Sequence, residues 1–245
     1  MITRQEFESE RETRLTAEAD ILEESAELFE ELAVKSKYFY NFQWQGLPII
    51  QFPADLIVLQ EIIWATQPQV IIETGLAWGG SAVFYGSCLD RLPVSQKVVV
   101  SIEKHVLEGV RPAVAERFRK FNALSWIQEG SSVDPDLVNR IGDSVAGRKV
   151  MVCLDSAHTP EHVGAELALY ADLVSVGCYL VVFDTFVERM PPELYEDKDC
   201  RPGNCPRQAV DAFLARDKRF VIDSRLDALT QISSNHGGWL KKIRD

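Results

Sequence analysis

The sequence predicts an α/β fold: a Rossmann-like, mostly parallel, seven-stranded sheet with helices on both faces, an antiparallel C-terminal strand and an N-terminal helical extension. Three observations predict it. From Val70 onward, short apolar, β-branched runs alternate with helical stretches, the pattern of strands buried on both faces of a parallel sheet. Four of those runs close on a carboxylate: Glu73, Glu103, Asp155 and Asp184. Near the end, "SNHGG" has the turn chemistry of a hairpin, which adds an antiparallel strand.

Residues 1 to about 36 are acidic, and Ile21, Leu22, Ala26, Phe29 and Leu32 have partly helical spacing, predicting one or two amphipathic helices. "YFYNFQWQGLPIIQFPADL" breaks that pattern with aromatics, Gly46, Pro48 and Pro53 and reads as a loop. Such a loop is either a hydrophobic cover over the sheet edge or a wall of a substrate pocket, and the cover is preferred. Residues 55–66 form a helix with Leu56, Leu59, Ile62 and Ile63 on one face. Strands follow at 70–73, 98–103, 125–128, 150–155 and 179–184. Helices occupy 81–92, 112–122, the stretch opened by "GSSVDPDLVNRI", 160–173 and 206–215. Further strands are expected at 220–223, 228–233 and 239–243, the last two joined across "SNHGG". The chain divides into a helical extension with its aromatic loop, residues 1–52, and one α/β domain, residues 53–245.

With 245 residues, 46% of them hydrophobic, the chain can bury a sizeable core. A net charge of −11 repels phosphate backbones and anionic membranes, so nucleic acid and membrane partners are not expected. Arg111, Arg117, Arg119 and Lys120 read as a solvated helix face. The N-terminus is too charged for a targeting peptide, which makes the cytoplasm the expected compartment. Among five cysteines, Cys88, Cys153 and Cys178 sit in apolar segments as core thiols. Cys200 and Cys205 share a polar loop without the second ligand pair a zinc site needs.

"VIIETGLAWGGSAVFYG", residues 70–86, identifies the ligand class. A P-loop needs a lysine after its glycines, and none is present. The dinucleotide fingerprint needs glycines two apart, whereas Gly75 and Gly79 are four apart, which disfavours a nicotinamide-dependent oxidoreductase. An acidic rim suits a cationic ligand with a ribose, and S-adenosylmethionine carries a sulfonium and an ammonium. Its carboxylate can meet backbone N–H groups where Ser81 opens a helix. Glu103 is placed for the ribose hydroxyls, and Gly130, Ser131 and Ser132 for the adenine edge.

"YNFQWQGLPIIQFPADLIVLQEIIW", "IIETGLAWGGSAVFY", "CLDSAHTPEHVGAELALYADLVSVGCYLVVFDT" and "GNCPRQAVDAFL" resemble the cephalosporin hydroxylase family, a group within the class I S-adenosylmethionine-dependent methyltransferases. The resemblance covers most of the chain from about Tyr38. "IETGLAWGGSAV", with "SIEK" and "EGSS" downstream, is also similar to catechol O-methyltransferase. Relatives include metal-dependent sugar O-methyltransferases. The resemblance therefore implies methyl transfer to a hydroxyl of a small molecule, a sugar or a natural product. It implies cofactor contacts from Glu73, Gly75, Ala77, Ser81, Glu103, Ser131, Ser132 and Asp155. It further implies a divalent metal, magnesium, held by Asp155 and Asp184, and His158 as general base on the acceptor, with Asp155 beside it in catalysis. Where relatives commonly read Glu-Asp, this chain has Phe183–Asp184, and a phenylalanine cannot ligate a metal.

Locally, Thr159, Pro160 and Glu161 read as N-cap, first helical residue and first-turn acid. His158 then sits just before a helix N-terminus, whose dipole disfavours imidazolium and helps to keep a free base. His105, His162 and His236 read as structural, and Tyr40, Trp44 and Trp78 as candidates for the acceptor pocket. The competing reading is a subunit that holds S-adenosylmethionine without catalysis, as partner of an oxidising enzyme of the cephalosporin hydroxylase kind. The N-terminal helices are candidates for a homo-oligomer contact.

Overall fold

The computed structural model describes residues 2–17 and 19–245, with side chains for all of these except 12, 16, 17 and 19–24. Two helices open the chain, α1 (Arg4–Ala17) and α2 (Ala19–Ser36), as the acidic apolar pattern predicts. The side chains of Ile21 and Leu22 lie outside the described residues. On α2 the buried face is Ala26, Glu30 and Ala33, whereas Phe29 and Leu32 are exposed. The reason is an ion pair. Arg189 Nη2 donates to both oxygens of the fully buried Glu30 at 2.6 Å, and that bond sets the helix's rotation.

The aromatic segment is more ordered than a loop. After a 3-10 turn, β1 (Phe42–Trp44) and β2 (Leu47–Ile49) form an antiparallel hairpin with Trp44 opposite Leu47. Gln45 and Gly46 close it with φ of 47° and 81°, the positive pair that a two-residue turn matching strand twist requires. Helix α3 (Pro53–Thr66) follows and buries Leu56, Leu59, Ile62 and Ile63, as its periodicity predicts.

The main sheet contains β3 (Val70–Thr74), β4 (Val98–Glu103), β5 (Leu124–Glu129), β6 (Val150–Leu154), β7 (Tyr179–Val182), β8 (Phe220–Ile222) and β9 (Trp239–Lys242). Its order is β5-β4-β3-β6-β7-β9-β8, with β9 antiparallel to both neighbours. Every residue of β3, β6 and β7 is buried, which is why these strands read as unbroken apolar runs. Helices α4 (Gly80–Asp90), α5 (Val110–Phe118), α6 (Pro135–Val145), α7 (Pro160–Tyr170) and α8 (Pro206–Arg216) fill the connections.

One expected strand is absent. Residues 228–233 do not extend; helix α9 (Ser224–Thr230) covers their first part, and the hairpin partner of β9 is β8. Leu226 and Thr230 are buried one turn apart, and Thr230 Oγ1 donates back to the Leu226 carbonyl at 3.1 Å. Beyond the helix, the Ser233 N–H donates to Glu30 and the Ser234 N–H to Asp55. Remote carboxylates thus take the groups that a strand would have offered to a ladder.

Cys153, Cys178 and Cys205 are buried, and all five cysteines are free thiols. Among the described residues, no helix is long and apolar enough to cross a membrane. The chain order reverses at β3, whose neighbours are β4 and β6. In open α/β sheets the crevice beyond that strand end is where ligands bind.

Candidate active site

A cavity of about 440 Å³ opens at this switch point. Its floor begins at Gly75, where β3 ends. Gly75 has φ of 86°, and a Cβ there would sit 2.0 Å from the Asp155 carbonyl oxygen, so only glycine fits. The loop then turns under one acid: Leu76 N–H and Ala77 N–H donate to Glu103 Oε2 at 3.0 and 3.1 Å. This holds Ala77 in the left-handed region at φ 44°. Gly79 caps α4 with no side-chain acceptor, and Gly80 and Ser81 bring the first turn of that helix to the cavity. A Cβ on Gly80 would lie 2.2 Å from the Pro48 carbonyl oxygen, so the β1–β2 hairpin abuts the loop at that glycine.

Of the expected cofactor residues, Gly75, Ala77, Ser81, Glu103, Ser131 and Ser132 line the cavity, joined by Asp155, His158 and Asp184. Glu73 lies beneath it, buried in the sheet. Ser101 Oγ donates to Glu73 Oε1 at 2.5 Å, and Ser81 bonds it as well. Burial pushes the Glu73 carboxyl up to about 7; the two serine hydroxyls pull it partly back, and Glu103 pushes it up.

That shift sets a stability window. Between about pH 4.5 and 7 the folded chain keeps a proton that the unfolded chain has released, so stability falls as pH rises through this range. The expected loss is on the order of 3 kcal/mol from this group. Glu73→Gln should remove that share of the slope, read by chemical denaturation at pH 4.5 and 7.5. An unchanged slope in the variant would show that Glu73 is not the source.

The other side of the cavity holds the acids of β6 and β7. Asp155 follows β6, and Gln51 Nε2 donates to its Oδ2 at 2.8 Å. Burial raises the Asp155 carboxyl well above the usual range, and the charges of Asp184, Glu73 and Glu166 push it further, with Gln51 offsetting part. Asp184 follows β7 by way of Phe183 and has φ of 58°, a left-handed conformation uncommon for a non-glycine residue. His158 Nε2 stands 3.4 Å from Asp184 Oδ2. It precedes α7, whose N-cap Thr159 accepts from the His162 N–H and whose first residue is Pro160, as the local pattern predicts.

Asp155, His158 and Asp184 each offer one ligand atom, all within 4.8 Å of one another. Phe183 is 1% exposed and packs into the core. The two hard carboxylate oxygens of Asp155 and Asp184 fit a divalent cation, and a positive charge there would relieve the repulsion on Asp155.

Tyr40 and Trp78 are both about half exposed at the cavity and line it, as expected of acceptor-pocket candidates. Trp44 does not reach it: its Nε1 donates to Ser87 Oγ at 3.1 Å and its ring meets Phe84 edge-on. Residues 48–52 line the cavity as well, so the aromatic segment is a wall and not only a cover. His162, read from sequence as structural, also lines the cavity, 3.0 Å from both Ser132 Oγ and Ser156 Oγ. Gln51, Ser156, Phe186 and Ser234 line it without any local sequence signal.

Known proteins match this chain over most of its length. Rhamnosyl O-methyltransferase of Mycobacterium tuberculosis (strain ATCC 25618 / H37Rv) is 30% identical over 210 residues, 82% of this chain and 78% of that protein. Its counterpart in Mycobacterium leprae (strain TN) is 27% identical over 201 residues, 75% and 82% of the two chains. A solved structure described as cmcI-D160 Mg-SAM superposes with a TM-score of 0.58 at 17% identity, over 84% of this chain and 78% of that one. An O-methyltransferase from Bacillus cereus in complex with SAH gives 0.50 at 15% identity, over 80% and 81%. At such identities these structures speak for the fold. The family described as rhamnosyl O-methyltransferase/CmcI matches residues 36–243, little but the N-terminal helices falling outside, and to that family this chain belongs.

Proposed function

We propose that this protein is an S-adenosylmethionine-dependent O-methyltransferase acting on a hydroxyl of a sugar-bearing small molecule. Residues 53–245 make the S-adenosylmethionine-binding methyltransferase domain, and residues 1–52 are its N-terminal extension with the aromatic segment. The observation that carries this reading is the pairing of His158 with Asp184, 3.4 Å apart, across the cavity from a glycine loop held by Glu103. The curated relatives named above are rhamnosyl O-methyltransferases, which supports a glycosyl acceptor. Tyr40 and Trp78 offer flat apolar faces on which a sugar ring can rest.

The bound cofactor supplies a methyl group activated by its sulfonium. Glu103, with Ser131 and Ser132, takes the ribose and adenine end, and the first turn of α4 the carboxylate. The acceptor hydroxyl gives its proton to His158 as its oxygen takes the methyl, so an O–C bond forms while the S–C bond breaks. Asp184 lies beside the resulting imidazolium and stabilises it. Asp155 and Asp184 would hold a divalent cation, magnesium, whose charge would lower the pKa of an acceptor hydroxyl.

A base paired with a carboxylate has no use in a subunit that merely holds cofactor, so catalysis is preferred to the partner-subunit reading. Five free thiols suit the reducing cytoplasm, where we place the protein. Exposed Phe7, Leu28 and Leu32 support self-association through α1 and α2, which a monomeric mass in light scattering would overturn.

The test is a panel of free glycosides incubated with S-adenosylmethionine and magnesium. Stoichiometric S-adenosylhomocysteine and an O-methyl glycoside are expected. Tight S-adenosylhomocysteine binding in calorimetry without turnover on any glycoside would overturn the sugar reading while leaving the cofactor in place.

A further inference from the structure

His162 belongs to a chain of hydrogen bonds that starts at a fully buried carboxylate and ends at the cavity. Glu166 is 0% exposed, and its Oε1 accepts from Ser156 Oγ at 2.7 Å. His162 Nε2 stands 3.0 Å from both Ser156 Oγ and Ser132 Oγ, and 3.4 Å from Glu166 Oε1. A hydroxyl has one proton to give, and that of Ser156 is committed to Glu166. A bare Nε2 would set its lone pair against the oxygens of Ser156 and Glu166. Nε2 therefore carries the proton, and in the uncharged ring Nδ1 is left as an acceptor.

Nδ1 is also the free nitrogen of the ring. It makes no hydrogen bond among the described residues and is not one of their buried unpartnered atoms, so it keeps accessible surface. The side chain is 24% exposed and lines the cavity, whereas Pro160, Glu161 and Gly164 of the same helix turn to a groove against α8. The cavity is thus offered one uncharged acceptor of fixed tautomer.

The sheet order decides which part of the ligand meets it. Glu103, assigned to the ribose, closes β4, and Ser132 follows β5, the next strand outward and the last of the sheet. The nucleobase then lies past the ribose, beside Ser132, the residue that His162 touches. Tyr170 Oη donates to the Ser132 carbonyl at 3.0 Å and holds that turn from the end of α7. On the adenine edge the exocyclic amine is the donor; hypoxanthine carries a carbonyl oxygen in its place.

We infer that His162 is a specificity-determining residue for the cofactor's nucleobase: its Nδ1 accepts a hydrogen bond from the adenine amine, and Ser156 and Glu166 are positioning residues that hold the tautomer required. The assignment rests on the S-adenosylmethionine reading and deepens it. A carbonyl in place of the amine would set two lone pairs against each other, and a site built around the bond rejects such an analogue.

The experiment is calorimetry at pH 8 with S-adenosylhomocysteine and S-inosylhomocysteine, which differ at that edge, on the wild type, His162→Leu and Glu166→Gln. The wild type should bind the adenosyl ligand about tenfold more tightly or better, the cost of leaving a ligand-covered acceptor unpaired. His162→Leu should lose about tenfold on S-adenosylhomocysteine for the same reason, and its preference should fall below about threefold. Glu166→Gln brings an amide that can donate to Ser156 and so reverse the chain; its preference should narrow by about threefold or more although it touches no ligand. Equal affinities in the wild type, or the full preference kept in His162→Leu, overturn the assignment and leave the cofactor in place. The full preference kept in Glu166→Gln overturns the part given to the carboxylate. Should His162→Leu fail to fold, the wild-type ratio and Glu166→Gln decide. Absence of S-adenosylhomocysteine binding by the wild type removes the cofactor reading and this assignment with it.

Discussion

His158→Ala should lower kcat for methyl transfer by about 100-fold or more, the contribution of a positioned general base, while S-adenosylhomocysteine affinity stays within a few-fold. The ring stands 3.4 Å from Asp184 and just before the α7 N-terminus. The carboxylate of Asp184 lies beside the imidazolium formed when the proton arrives. Truncation removes the proton acceptor but leaves the glycine loop and its bonds to Glu103, which do not involve His158. The two effects should therefore separate cleanly: rate in a turnover assay, affinity in calorimetry. Turnover within threefold of wild type would assign the base elsewhere. His162, one turn further on, is bonded to Ser132 and Ser156 and would be examined next.

Asp155→Asn should also cost about 100-fold in kcat/KM, a share of the several kcal/mol a Lewis acid supplies at the transition state. It should at the same time stabilise the apoprotein above the ordinary carboxylate range. Burial and the charges of Asp184, Glu73 and Glu166 raise the Asp155 carboxyl, so its ionised form opposes folding. The neutral amide removes that opposition, and its thermal midpoint at pH 8 should rise while activity falls. Chelation of the wild type should reproduce the activity loss, with magnesium restoring it, because Asp155 and Asp184 are the carboxylates of the cluster and Phe183 is closed into the core. Full activity in chelator combined with a dead Asp155→Asn would mean that the carboxylate acts on the acceptor directly. An unimpaired Asp155→Asn would remove it from the reaction altogether.

Much of this site was legible because its signals are local. Gly75, Gly79 and Gly80 announce a turn between strand and helix, and an acid closing each of four apolar runs points to one rim once those runs are parallel. Thr159–Pro160–Glu161 fixes where α7 starts, and hence where His158 stands, within a few residues of sequence. Other assignments depend on partners far along the chain. Trp44 and Tyr40 are four residues apart and equally aromatic, yet one turns to Ser87 and the other lines the cavity. Glu73 closes its apolar run like the other acids but lies within β3, in register with Ser101 of β4 whose hydroxyl it accepts from, whereas Glu103, Asp155 and Asp184 stand at or beyond the ends of their strands. The expected strand at residues 228–233 was lost to Asp55 and Glu30, which lie 179 and 203 residues away from the serines they hold.

Periodicity, turn chemistry and residue type were thus enough for the alternating strands and helices from Val70 to Arg216 and for the acidic, lysine-free character of the ligand loop, but not for the β1–β2 hairpin or for α9. These follow from interactions within a turn or a strand, which a short window of sequence contains. Only the folded chain decided that the aromatic segment walls the cavity, that Gln51 grips Asp155, and that Asp184 meets His158. Each of those is a contact between elements brought together by core burial, and no local rule encodes which buried polar groups will find one another.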